Sequence, residues 1–135
     1  MKPLVYLSHP SGGLSDNTKD IEKCIRLMYQ NKEIYNKITI VSPVHCYGFM
    51  YNDTWTTYDE SLQFCLDLLY KCDFMIVIGD YTKSKGCQKE IETCTKLSIP
   101  YICIENSKCI ENDIESISEK IDNLIEFLPD HIKEF

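Results

Sequence analysis

The run Phe74–Ile78 (FMIVI) constrains the fold more than any other segment, because all five of its residues are apolar. A strand without polar positions is typical of a parallel sheet that helices cover on both faces. A polar loop, Asp80–Gly86, follows this run, and helical periodicity resumes over Cys87–Leu97. The order of strand, loop and helix predicts a βαβ unit.

Strand patterns and helix patterns also alternate along the rest of the chain. Strand patterns also lie at Pro3–Ser8, Ile38–Val41 and Tyr101–Ile104, and helical periodicity runs from Ser15 to about Asn36, from Tyr58 to Lys71 and from about Asn112 to Phe127. An irregular, aromatic-rich stretch extends from about His45 to Thr57. Because parallel strands are joined by right-handed crossovers, we predict one α/β domain over residues 1–135. The predicted architecture is a three-layer flavodoxin-like fold, with a parallel sheet of four or five strands and helices on both faces.

Charge and hydropathy limit the classes of partner. The net charge of −7 argues against a nucleic acid polymer, which requires a basic surface. No apolar run approaches the roughly 20 residues that cross a bilayer, so we expect no membrane partner. The N-terminus leads directly into a strand pattern without a signal peptide, which favours a cytoplasmic location.

The eight cysteines form no C-x-x-C pair, so their spacing indicates neither a zinc site nor a disulfide framework. Cys65, Cys72, Cys94 and Cys103 fall within apolar patterns, where free cysteine behaves as a small hydrophobe. We therefore expect reduced thiols in the core and no metal.

Three unusual loops, His9–Gly13, Ser42–Trp55 and Asp80–Gly86, each follow a predicted strand. In open α/β sheets, ligands bind beyond the carboxyl ends of the strands. We therefore predict one small-molecule pocket that these three loops form together.

Several candidate site residues have two readings. The Ser11-Gly12-Gly13 segment is either an anion-binding turn or an ordinary turn that uses glycine. Tyr6 is either a packing residue or a hydroxyl that holds a carboxylate, and His45 is either a contact to phosphate or sugar or a solvated side chain. The aromatic stretch after it is a lid, a dimer interface or a small local core.

Ser84, Gly86 and Glu90 are the strongest candidates for residues of the site. Glu90 is either a charge that favours the positive end of a helix or a nucleophile that attacks an anomeric carbon, as retaining glycosyl transfer requires. Its position after the most buried strand favours the second reading.

The segments VYLSHPSGG, SPVH and LLYKCDFMIVIGDYTKSKGCQKEIETCTKLSIPYICI resemble the nucleoside 2-deoxyribosyltransferase-like superfamily, in particular a small family of phage and bacterial proteins. That superfamily includes deoxyribosyltransferases and deoxynucleoside 5'-monophosphate N-glycosidases. The resemblance implies that Glu90 is the nucleophile and that Tyr6 orients it. It also implies a homo-dimer or higher homo-oligomer, and no metal or redox cofactor. Together with the loop positions, it assigns nucleotide binding to Ser8, His9, Ser11, Gly12, Gly13, His45, Asp80, Ser84 and Gly86.

Two positions depart from the glycosidase pattern. Ser11 stands where those enzymes have a phosphate-binding arginine, and Cys65 stands where they have an aspartate that acts on the leaving base. Asp67, Asp59 and Glu60 are the nearby carboxylates that could substitute. We therefore expect a nucleotide or nucleoside N-glycosidase or deoxyribosyltransferase. The alternatives are a protein that binds a nucleotide-derived molecule without cleaving it, or a structural protein with a vestigial pocket.

Overall fold

The computed structural model describes residues 1–10 and 15–130 and shows an α/β fold. Its elements are β1 (Leu4–Ser8), α1 (Ser15–Gln30), α2 (Lys32–Lys37), β2 (Thr39–Val41), α3 (Pro43–Tyr47), α4 (Tyr58–Tyr70), β3 (Phe74–Ile78), α5 (Lys85–Leu97), β4 (Tyr101–Ile104), α6 (Ser107–Asn112) and α7 (Ile114–Glu126), with 3-10 turns at Gly48–Asn52 and Tyr81–Lys83. The four strands form one sheet in the order β2-β1-β3-β4. All three strand pairings are parallel, which confirms the predicted flavodoxin-like arrangement with four strands.

Strand β3 lies between β1 and β4, and all five of its residues are buried. Its pairing with β1 places Val5 opposite Phe74 and Ser8 opposite Val77. The fully apolar run in the sequence therefore corresponds to a central strand, as predicted. A further contact fixes the start of β1, because the Asp73 carboxylate accepts a hydrogen bond of 2.7 Å from the Leu4 amide.

Alternate residues of the strands pack into two separate cores, one on each face of the sheet. On one face, residues such as Leu7 and Ile76 pack with buried side chains of α1, α6 and α7. On the other face, Tyr6, Met75 and Val77 pack with α4 and α5. The sheet therefore separates two helical layers, and the second of these layers contains Glu90.

The structure differs from the sequence prediction at several boundaries. The helix predicted from Ser15 to Asn36 is two helices, because Asn31 accepts a hydrogen bond from the Ile34 amide and starts α2. The stretch predicted to be irregular contains α3 and a 3-10 turn. Helix α6 was not predicted, because six residues are too few to show a period.

The prediction that Cys103 lies in the core was also wrong. Cys103 is exposed on β4, which pairs only with β3 among the described strands. Cys65, Cys72 and Cys94 are buried as predicted. None of the described helices has the length and apolar character needed to cross a membrane.

Candidate functional site

A narrow cleft with about 390 Å³ of empty space, part of it open to solvent, lies beside the carboxyl end of β1. Its walls come from β1, from the loops after β1 and β3, from α3 and the 3-10 turn that follows it, and from α4 and α5. The lining residues are Tyr6, His9, Pro43, Val44, Tyr51, Tyr58, Leu62, Cys65, Ser84, Gly86, Cys87 and Glu90. The part of it that a water-sized sphere can reach is about 30 Å³, well below the roughly 300–1,000 Å³ of small-molecule sites, so a ligand of that size requires the cleft walls to move apart.

Glu90 lies on the second turn of α5 and is only 6% exposed. Burial raises the pKa of its carboxyl to about 7, although the nearby hydroxyls of Tyr6 and Ser8 oppose this shift by favouring the charged form. A carboxyl with such a pKa interconverts between acid and carboxylate near neutral pH. Perturbed groups of this kind are concentrated at functional sites.

Ser8, the last residue of β1, holds one oxygen of that carboxyl. Its hydroxyl donates to Glu90 Oε1 at 2.9 Å and also lies 3.2 Å from Cys87 Sγ. A hydroxyl has one proton, so Ser8 donates to one of these acceptors at a time. Among the described residues, Glu90 Oε2 has no hydrogen bond of normal geometry, although the Tyr6 hydroxyl lies close enough to lower the pKa of the carboxyl.

Tyr6 is fully buried, yet its hydroxyl makes no hydrogen bond of normal geometry with any described residue. Burial and the adjacent Glu90 carboxylate raise the pKa of this phenol well above its usual value. The hydroxyl therefore lies near Glu90 as a neutral donor without a bonded partner. Because an unpaired buried polar group is costly, we expect a small shift of either side chain to pair this hydroxyl with the Glu90 carboxylate, whose pKa it already lowers.

Two further tyrosines form one wall of the cleft. The rings of Tyr51 and Tyr58 lie 5.5 Å apart between centroids, and the Tyr51 hydroxyl is 3.9 Å from Cys65 Sγ. A Cβ atom at Gly86 would lie 2.8 Å from the Tyr58 hydroxyl. Glycine at this position therefore allows the Tyr58 ring to approach the first turn of α5.

His9 is held by two acceptors. Its Nε2 lies 2.6 Å from an Asp20 carboxylate oxygen, and its Nδ1 lies 2.7 Å from the Pro10 carbonyl oxygen. Both contacts are hydrogen bonds only when both ring nitrogens carry a proton. His9 thus lines the cleft but has no free N–H for a ligand.

The start of α5 differs from the prediction. The helix begins at Lys85, so Gly86 belongs to its first turn and not to the preceding loop. Ser84 is the N-cap and accepts a hydrogen bond of 3.2 Å from the Cys87 amide. That amide is therefore occupied and is not free to bind a ligand oxygen.

The structure brings Tyr6, Ser8, His9, Ser84, Gly86 and Glu90 together, but it places two candidates elsewhere. His45 is exposed, and its ring contacts Ser42 and Glu22. Asp80 caps the 3-10 turn after β3 through Thr82. Neither lines the cleft, and their binding roles stay predictions. Ser11, Gly12 and Gly13 lie outside the described residues.

None of the three carboxylates named above as substitutes for the aspartate of the glycosidases lines the cleft. Cys65 lines it, whereas Asp67 accepts a hydrogen bond from Gln63 at the surface. Asp59 Oδ1 lies 3.6 Å from Lys85 Nζ, and Glu60 forms a capping box with Thr57. Glu90 is therefore the sole carboxylate among the described residues that line the cleft. Within residues 1–10 and 15–130, no group of three His, Cys, Asp or Glu side chains could hold a metal ion.

Sequence reasoning did not identify Tyr58 or Cys87 as site residues, and it placed Tyr51 only within an aromatic stretch of uncertain role. Tyr51 now forms part of the cleft wall, Met50 is buried, and Phe49 and Trp55 are exposed. No spacing in the sequence distinguishes these residues, because their positions depend on how the loop after β2 packs against α4.

No curated protein matches this chain. One family model matches residues 3–104, a range that extends from the start of β1 to the end of β4 and contains every residue that lines the cleft. The chain therefore belongs to the family described as a domain of unknown function, DUF7768.

Proposed function

We propose that the cleft catalyses cleavage or transfer at the N-glycosidic bond of a nucleoside or nucleotide, with Glu90 as the nucleophile. The observation that carries this proposal is the buried Glu90 carboxyl at the carboxyl end of the sheet, with Oε1 bonded to Ser8 and Oε2 without a hydrogen bond of normal geometry to a described residue. The likeness of the sequence to nucleoside 2-deoxyribosyltransferases supports it.

In this reaction, the ionised Glu90 carboxylate attacks C1' of the sugar. A C1'–O bond forms while the C1'–N bond breaks, and the electron pair of the broken bond leaves with the base. Water or a second base then displaces Glu90 from C1', which gives hydrolysis or transfer. Ser8 orients the carboxylate, and the Tyr6 hydroxyl supplies a neutral donor beside it.

We also propose a ligand class, a location and an oligomeric state for the protein. The ligand is a nucleotide-type or nucleoside-type small molecule and not a nucleic acid polymer, consistent with the net charge of −7. We also propose a cytoplasmic homo-dimer or higher homo-oligomer. Phe49, Trp55 and Phe64 are exposed aromatic side chains of the kind that such an assembly covers. Light scattering on the purified protein measures the oligomeric state.

The direct test is incubation with pooled nucleosides and nucleotides, followed by mass spectrometry for free base. The matched control is Glu90→Gln, which keeps the size of the side chain and an oxygen that can accept from Ser8 but removes the nucleophilic carboxylate. We expect base release by the wild type and a loss of at least about 10²-fold in the variant. Equal release by both proteins, or none by the wild type, would contradict the proposal.

The second candidate is a protein that binds a nucleotide-derived molecule without cleaving it. Cys65 in the cleft, with no second carboxylic acid among the described lining residues, favours it. Calorimetry distinguishes the two candidates when the ligand is analysed afterwards. Saturable binding with all ligand recovered intact favours the binding protein, and recovery of free base favours the enzyme.

A further inference from the structure

The departure of a neutral base from C1' produces an anionic nitrogen unless a proton is supplied. General acid help at such a step typically contributes about 10²–10⁴-fold. In the described part of the cleft, the single carboxylate is Glu90, and the proposed mechanism uses it as the nucleophile. The proton for a neutral base must therefore come from another group, or the base must need none.

The remaining donors in the cleft are poorly suited to supply it. Both ring nitrogens of His9 face Asp20 and the Pro10 carbonyl. Burial raises the pKa of the Cys65 thiol to about 11 and raises the pKa of the Cys87 thiol. Burial likewise raises the pKa values of the three tyrosines of the cleft, Tyr6, Tyr51 and Tyr58. All five of these groups are weak acids that hold their protons at neutral pH.

The same cleft suits a ring that carries a positive charge. Tyrosine rings line it around one carboxylate, with Tyr51 and Tyr58 in mutual contact at 5.5 Å. Aromatic faces attract cations, and a cation within reach of Glu90 favours the ionised carboxylate that attacks C1'. The described lining residues include no lysine or arginine, and the one basic side chain among them, His9, is paired with the Asp20 carboxylate.

We propose that this site acts on N-glycosides whose base is a cationic aromatic heterocycle, a substrate class that rests on the proposed glycosyl transfer at Glu90. When the C1'–N bond of such a substrate breaks, its electron pair neutralises the positive nitrogen ring. The base leaves as a neutral molecule, and no proton is transferred to it. Water then attacks C1', releases the Glu90 carboxylate and loses its extra proton to solvent. No oxidant, reductant or metal takes part.

The test compares two substrates that differ by one methyl group: guanosine 5'-monophosphate and its N7-methylated, cationic derivative, each as ribose and 2'-deoxyribose forms. Nicotinamide mononucleotide serves as a cationic substrate with a different base. Rates are corrected for release without enzyme and for release with Glu90→Gln. We expect kcat/KM for the methylated nucleotide to exceed that for the parent by at least about 10²-fold. A parent substrate cleaved within about tenfold of the methylated one would overturn the inference, while the glycosidase proposal would survive.

A pair of variants at Cys65 tests whether the lack of a carboxylic acid there limits cleavage of a neutral base. Cys65→Asp returns a carboxylic acid to the cleft, and Cys65→Asn has nearly the same shape without an acid. If both variants fold by circular dichroism, Cys65→Asp should raise kcat/KM for the unmethylated nucleotide by about tenfold or more relative to Cys65→Asn. An equal kcat/KM in the two folded variants counts against the inference.

A different experimental result is expected if the proposed glycosidase function is wrong. If no substrate is cleaved, the glycosidase proposal is wrong, and calorimetry then decides the ligand class. Selective binding of the methylated nucleotide, weakened at least tenfold in Glu90→Gln, sustains recognition of a cationic ring. Equal affinity for the methylated and parent nucleotides overturns it.

Discussion

At the scale of single residues, Glu90 links stability to pH. Its pKa is about 7 in the folded protein, because burial penalises the charged form, against an ordinary value of 4.5. Between these values the folded protein holds more protons on Glu90 than the unfolded chain does. The stabilisation that comes from the neutral carboxyl is therefore complete below about pH 4.5 and is lost as the pH rises through 7.

Glu90→Gln removes this pH dependence, because the amide stays neutral. At pH 8 the variant should be more stable than the wild type by up to about 3 kcal/mol, and at pH 5 the difference should be much smaller. Thermal denaturation of both proteins at the two pH values measures it. If the difference in Tm is the same at pH 5 and pH 8, Glu90 does not titrate as a buried carboxyl.

Ser8 should set the pH at which kcat/KM falls on the acid side of its pH profile. Its hydrogen bond to Glu90 Oε1 favours the charged carboxylate, so Ser8→Ala should move the acid limb of the pH profile of kcat/KM to a pH above 7. The variant should also lose about 1–3 kcal/mol of stability, because a buried acceptor loses its partner. Ser8→Thr keeps the hydroxyl and is the control. An unmoved acid limb in a folded Ser8→Ala protein would show that Ser8 does not act through Glu90.

At the scale of elements, the first two turns of α5 combine structural and chemical roles. Ser84 caps the helix, Gly86 leaves room for the Tyr58 hydroxyl, and Cys87 and Glu90 face Ser8. A glycine within a helix is less favourable than alanine by about 1 kcal/mol, and Gly86 is buried against neighbouring side chains. A glycine at the second helical position therefore indicates a steric requirement of the site.

Gly86→Ala should affect the stability of α5 and the function of the cleft in opposite directions. Alanine favours the helix, but its Cβ forces the half-exposed Tyr58 ring to move, because the two atoms would lie 2.8 Å apart. We expect a Tm within a few degrees of the wild type and a reduced kcat/KM or ligand affinity. Removing the clashing oxygen in Gly86→Ala/Tyr58→Phe should recover more function than the single changes predict additively. Strict additivity would exclude this contact as the cause.

At the scale of the whole molecule, the distribution of the eight cysteines reports how the layers pack. Five of them, Cys24, Cys65, Cys72, Cys87 and Cys94, are buried between the sheet and its helices, Cys109 is half-buried, and Cys46 and Cys103 are exposed. A thiol reagent should label the two exposed cysteines first in the native protein, Cys109 more slowly, and the five buried ones only on unfolding. Mass spectrometry of labelled peptides, with the urea-unfolded protein as the fully labelled control, identifies each site. Early labelling of Cys65 or Cys94 would contradict the packing of α4 and α5 on the sheet.

The periodicity of the sequence predicts the parts of the fold that depend on neighbouring residues. The apolar run Phe74–Ile78 predicts the central strand, and the alternation of strands and helices predicts the parallel sheet. The break at Asn31 and the short helix α6 escaped prediction, because a capping contact or a single helical turn has no period of its own.

By itself, the sequence determined that Glu90 lies near the start of a helix that follows a buried strand. Only the tertiary structure decided which groups surround it. Ser8 is 82 positions from Glu90, yet its hydroxyl bonds the carboxyl, because the pairing of β1 with β3 and the packing of α5 on the sheet bring them together. The same packing placed Tyr51 and Tyr58 in the cleft and left His45 and Asp80 outside it. Local periodicity selects strands and helices, whereas the contacts of a site depend on how distant segments pack, which no local pattern records.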